Sequence, residues 1–216
     1  MQRVFGGSSD GFCSFDPLLD REITRIHAGG YCVVQGEAVL STLLGSCVSV
    51  CLRDPKGPVT AMNHFLLPGE QARHSLGGAG NNGDYPVSRM LAMARPTPEG
   101  DCRYGIYAMS AMIDSMLLMG ACMERLEAKI FGGAMMINAS RDIGGVNVTF
   151  AEEKLHSLGV PILASDVGGK YHRVIRFFSE SGRVLVSRGN ESRTLGRYTA
   201  AVTNARGVQT DQRREH

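Results

Sequence analysis

Net charge is nearly missing from this sequence: 23 Lys and Arg stand against 21 Asp and Glu, a formal +2. That balance provides no basic footprint for nucleic acid and none for an anionic membrane surface. Long apolar runs are also lacking. The longest, Met116 to Met123, is far too short to cross a bilayer, and Met1 to Asp10 has no apolar core of the kind a secretory leader needs. A cytoplasmic protein without membrane insertion is therefore expected. Metal-type cysteine spacing is absent as well. Cys13, Cys32, Cys47, Cys51, Cys102 and Cys122 include no C-x-x-C pair, so no structural zinc is expected, and in a reducing compartment they remain thiols. The Asn138, Asn147 and Asn190 sequons then read as chance matches. No internal repeat is visible. Gly78 to Gly83 matches G-x-G-x-x-G, but no strand precedes it and no helix opens from it, so a dinucleotide cofactor is not expected either.

What is present is an ordinary globular composition, 43% hydrophobic and 20% charged, on a chain of 216 residues. That length suits one domain with appendages. Residues 1–20, rich in Gly, Ser and Asp, read as a flexible arm; 21–189 read as the domain; the polar stretch 190–216 reads as a disordered tail. Within the domain, strands are predicted at Ile23–Ile26, Tyr31–Val34, Val39–Leu44, Val48–Arg53, Val59–Leu67, Leu126–Phe131, Pro161–Asp166, His172–Phe178 and Val184–Ser187. Helices are predicted at Tyr104–Met119 and Asn147–Leu158, where apolar residues recur at three- and four-residue spacing and a glycine follows. A long loop, 69–101, separates the first group of strands from the first helix. The pattern implies an α+β class: a layered sandwich around a central, mostly antiparallel sheet with helices on its faces.

One stretch carries chemistry. Leu44-Gly45-Ser46-Cys47 places a thiol at the mouth of a strand, and His64 lies on the return strand after the Pro55-Lys56-Gly57-Pro58 turn. If that turn has four residues, Ser49 faces His64 and Cys47 faces Leu66. Cys47 and His64 then share a face as diagonal neighbours. A histidine beside a thiol can take its proton and leave a thiolate–imidazolium pair, which suits attack on an acyl carbon. Backbone N–H groups around Gly45 and Ser46 are candidates for holding the oxyanion. A third polar group must orient the imidazole, and Ser41 or Thr42 on the preceding strand offers a hydroxyl.

The blocks Leu44–Pro55, Met62–Pro68, Tyr104–Met109, Leu126–Ala134 and Ala164–Gly169, in that order, closely resemble the CheD family of chemoreceptor glutamine deamidases. The resemblance implies Cys47 as nucleophile and His64 as base. It puts the third residue, a threonine six before the cysteine in the family, at Ser41, with Thr42 pointing to the other face. It implies deamidation of glutamines to glutamates on the cytoplasmic helical bundle of methyl-accepting chemotaxis receptors. It further implies a fold like the catalytic domain of cytotoxic necrotizing factor toxins, and the phosphatase CheC as a partner. Alternatives are a non-catalytic adaptor that binds receptors or CheC, a receptor methylesterase, and a thiol protease or transferase.

Overall fold

The computed structural model describes residues 1–7, 11–69, 101–135 and 142–189. Eleven strands and two helices occur among them: β1 (Gln2–Gly7), β2 (Phe12–Asp16), β3 (Arg21–Arg25), β4 (Gly30–Gln35), β5 (Val39–Leu44), β6 (Val48–Arg53) and β7 (Val59–His64), then α1 (Gly105–Leu118), β8 (Glu127–Gly132), α2 (Ile143–Ser157), β9 (Ile162–Val167), β10 (His172–Phe178) and β11 (Val184–Gly189). They form two sheets, ordered β1-β4-β7-β6-β8-β9 and β11-β10-β5-β3-β2. Pairing is antiparallel apart from β8 with β9 and β3 with β5. The expected α+β sandwich is therefore present, but its single central sheet is in fact two stacked sheets.

Side-chain alternation sets the layers. Val48, Val50 and Leu52 of β6 pack with Val33, Ala61, Met109, Met112 and Phe150 in one core, between the six-stranded sheet and both helices. The next residues along the same strands, among them Cys32, Val34, Cys51 and Met62, pack with Leu40, Leu44, Ile175 and Phe177 of the other sheet. A strand buried on both faces shows no clean polar alternation, which is why β4 and β6 read as near-continuous apolar runs.

The N-terminal expectation is corrected. Residues 2–7 are not a loose arm: β1 pairs with β4 along its whole length, Gln2 with Gln35 through Gly7 with Gly30. Phe12–Asp16 pairs with β3, and the buried carboxylate of Asp16 receives Arg176 from β10. Backbone pairing asks little of side chains, so a Gly/Ser-rich strand leaves a weak sequence signal. Gly6 is required there, since a Cβ would run into the Tyr31 ring. The second helix starts earlier than its periodicity suggests, because Asp142 caps it by accepting from Gly145 N at 2.8 Å. Gly78–Gly83, nearly all of the 69–101 loop and the 190–216 tail lie outside the described residues.

Candidate active site

β6 and β7 form the hairpin that holds the candidate pair: His64 ends β7 and Cys47 immediately precedes β6. Arg53 pairs with Thr60, Leu52 with Ala61 and Cys51 with Met62. The same register resumes at Val48 and Phe65, which exchange backbone hydrogen bonds of 3.1 and 3.0 Å. Ser49 is thus opposite His64, as the turn length predicts, and the pairing expected next, Cys47 with Leu66, is not made: Leu66 N donates to the Arg103 carbonyl and Cys47 O accepts from Gly133 N. In the interval between those rungs, Asn63 Oδ1 accepts from Val50 N at 2.8 Å, and Ser49 Oγ donates to the Asn63 carbonyl. Cys47 packs, partly buried, against the inter-sheet core that includes Met62 and Cys51. His64 follows Met62 by two residues, so it projects to that same side. Cys47 is half-buried and His64 is buried at 5% exposure.

The imidazole is oriented from the second sheet. Thr42 Oγ1 lies 2.8 Å from His64 Nδ1 and donates its own proton to the Ile26 carbonyl at 2.7 Å. With its hydrogen committed to Ile26, the Thr42 oxygen can only accept from the ring. Nδ1 therefore carries the proton and Nε2 the lone pair. Nε2 is buried and has no hydrogen-bond partner among the described residues. The assignment of Ser41 as the orienting hydroxyl is corrected by this geometry. Ser41 is fully buried, yet its Oγ has no partner among the described residues. Leu40 and Leu44 of β5 face the inter-sheet core, and Thr42, two residues from each, faces it with them. Those two leucines were the sequence signal for Thr42.

Burial works on both titrating groups in the same direction, toward neutrality. It lowers the His64 imidazole to about 4, with the neighbouring His27 adding to the effect. Burial also raises the Cys47 thiol, while its own amide N–H pulls it partway back. Both shifts favour the uncharged forms, a protonated Cys47 thiol and a neutral His64 imidazole, over a thiolate–imidazolium pair.

The Gly45–Cys47 turn is pinned through its carbonyls. Gly45 O accepts from Ala134 N and Cys47 O from Gly133 N, each at 2.8 Å. Gly132 permits that approach, because its φ is +107° and a Cβ there would collide with the Cys47 carbonyl oxygen. Ser46 O accepts from Asn147 Nδ2 at 3.1 Å, and the same nitrogen donates to Leu66 O at 2.8 Å. Asn147 is thus tied to both sides of the site, a role that its chance sequon does not suggest. Its spacing is the sequence signal: Asn147 lies four and eight residues before Ala151 and Leu155, on the helix face that packs into the core, where a polar residue is uncommon.

Comparison with known proteins gives concordant results. A family model described as CheD chemotactic sensory transduction matches residues 90–188, a stretch that begins beyond Cys47 and His64. A protein of Rhizobium leguminosarum bv. trifolii named probable chemoreceptor glutamine deamidase CheD is 40% identical over 168 residues, covering 74% of this chain and 77% of its own. Proteins with the same name from Laribacter hongkongensis and Caulobacter vibrioides are 37% and 40% identical, covering 82% and 77% of this chain and 77% and 83% of theirs.

Proposed function

The chain belongs to the CheD family, and from that premise we propose that it hydrolyses specific glutamine side chains of chemoreceptors to glutamate by thiol chemistry at Cys47. His64 Nε2 takes the Cys47 proton as the sulfur attacks the glutamine carboxamide carbon. The C=O π bond becomes an alkoxide, held by amide N–H groups of the Gly45-Ser46-Cys47 turn. As the alkoxide collapses, the C–N bond breaks and the imidazolium gives its proton to the leaving nitrogen, releasing ammonia. Water, deprotonated by the same Nε2, then cleaves the thioester to glutamate and returns the thiol. The observation that carries this reading is the Thr42-held His64 ring: its remaining nitrogen is a buried lone pair on the face that Cys47 shares. Because burial favours the neutral form of both groups, the proton in this reading moves during attack and not before it.

The substrates in this reading are glutamines on the cytoplasmic helical bundle of methyl-accepting receptors, so the enzyme works in the cytoplasm. Among the described residues, no helix is long and apolar enough to cross a membrane. The layered sandwich is taken to be the one used by the catalytic domain of cytotoxic necrotizing factor toxins, and CheC to be a partner. The deciding experiment incubates receptor cytoplasmic fragments with wild type and with Cys47→Ala. Each deamidated glutamine gains about one mass unit, the difference between an amide NH2 and an acid OH. Wild type should produce the gain and release ammonia stoichiometrically, and Cys47→Ala should do neither. Unchanged turnover by a folded Cys47→Ala protein would overturn the reading.

A further inference from the structure

We infer that Asn147 is a positioning residue that fixes the separation of Cys47 from His64; this rests on the reading of those two residues as nucleophile and base. The β6–β7 ladder ends at the Val48–Phe65 rung. Past it the two chains part. Leu66 N and Leu67 N both turn to the Arg103 carbonyl, at 2.9 and 3.2 Å, while the Gly45 and Cys47 carbonyls turn to Ala134 and Gly133. Cys47 sits on one lip of this opening, and the chain that carries His64 leaves along the other. Among the described residues, the Asn147 carboxamide spans the gap, with one nitrogen donating to Ser46 O on the Cys47 side and Leu66 O on the His64 side.

The helix that bears Asn147 is pressed into place. A Cβ at Gly133 would strike Val148, and one at Gly144 would strike the carbonyls of Gly133 and Ala134. The first turn of α2 therefore lies directly on the segment that pins the nucleophile turn. The amide suits this task chemically. Its NH2 group offers two donors in a fixed plane, whereas aspartate offers none and alanine nothing at all. Asn147 Oδ1 is buried with no partner among the described residues. Burying that oxygen unpaired is unfavourable, so the advantage of asparagine lies in the two bonds made by its nitrogen. Those bonds join the residue before the nucleophile to the residue two after the base. Transfer of the thiol proton needs the two groups within hydrogen-bond reach, and a displacement of about 1 Å in such a site can cost about 10²-fold in rate.

The test is a double-mutant cycle in the full chain. Wild type, Asn147→Ala, His64→Ala and the double variant are assayed for deamidation of receptor fragments, with thermal unfolding measured for each. Asn147→Ala should lower kcat by about 10²-fold with KM changed less than about threefold. Removing His64 from the Asn147→Ala protein should then cost far less than removing it from wild type, because the base is already misplaced. Additive losses, or a kcat within twofold of wild type, would overturn the proposal, since a residue that only supports the fold does not couple to His64. If Asn147→Ala does not fold, Asn147→Asp, which matches the shape but lacks both donors, carries the same cycle. Loss of the fold in both variants would mark Asn147 as a structural tie and overturn the positioning role. An active Cys47→Ala would defeat the reading of the site itself; an inactive Cys47→Ala beside additive Asn147 losses defeats the positioning role alone.

Discussion

Thr42→Val removes one hydroxyl and almost nothing else, since valine matches threonine in shape and β-branching. Two buried hydrogen bonds go with it, the 2.7 Å bond to the Ile26 carbonyl and the 2.8 Å bond at His64 Nδ1. Both partners stay buried, and each buried polar group left unpaired costs about 1–3 kcal/mol. The variant should therefore lose up to about 2–6 kcal/mol of stability, measured by urea unfolding. The effect on turnover is separate in origin. Without the Thr42 oxygen the ring keeps only the Ile26 backbone beside it, so its proton is held less firmly on Nδ1 and can move to Nε2, where the proposed reaction needs a lone pair. A misprotonated base forfeits positioned proton transfer, so kcat should fall by about 10²–10⁴-fold, read from the mass of receptor fragments. Thr42→Ser keeps the hydroxyl and loses only the methyl that stiffens χ1, and should stay within about tenfold of wild type. Ser41→Ala removes an oxygen with no partner among the described residues; its turnover should match wild type and its stability should hold or rise slightly. A folded Thr42→Val protein with wild-type kcat, or a Ser41→Ala protein with a tenfold loss, would refute the orientation argument.

Acid should act through His64. Its imidazole is lowered to about 4 in the fold against 6.5 when unfolded, so between those values the unfolded chain binds a proton that the native state excludes. Stability is then complete above about pH 6.5 and falls as pH drops toward 4, by up to about 3 kcal/mol; His64→Gln should flatten that slope in urea titrations. For the same reason the acid limb of kcat/KM should lie well below pH 6, and a midpoint near 6.5 would show a solvated ring. Cys51→Ala should cost about 1–2 kcal/mol of stability with turnover intact, because this fully buried thiol lies in the inter-sheet core, two pleat repeats beyond Cys47; lost turnover in a folded protein would give Cys51 a chemical role. Asp54, at the far end of the β6–β7 hairpin, accepts from Arg125, from Cys122 N and from Lys56 N. The Arg125 contact holds its carboxyl well below the usual carboxylate range. Asp54→Ala should cost about 2–4 kcal/mol in unfolding experiments and leave kcat unchanged; a kcat loss in the folded protein would contradict the separation of turn and site.

The sequence by itself determined the strand register that matters most. A four-residue turn between two β-branched runs fixes which residues oppose, and Cys47 and His64 fall on one face from that count alone. β5, β6 and β10 are likewise legible to their ends, because local apolar pattern and turn chemistry decide them. What needed the tertiary structure was everything set by contact between distant segments. Whether Ser41 or Thr42 reaches His64 depends on how the second sheet stacks on the first, and a one-residue difference in facing exchanges the two. The push of the thiol and the imidazole toward their neutral forms comes from desolvation by layers that no local window contains. β1 and β2 form by adding backbone to sheet edges, which leaves little mark on side chains. Asn147 matters only because α2 lies against the opening beyond Val48 and Phe65, a meeting of residues 46, 66 and 147 that spacing along the chain does not encode.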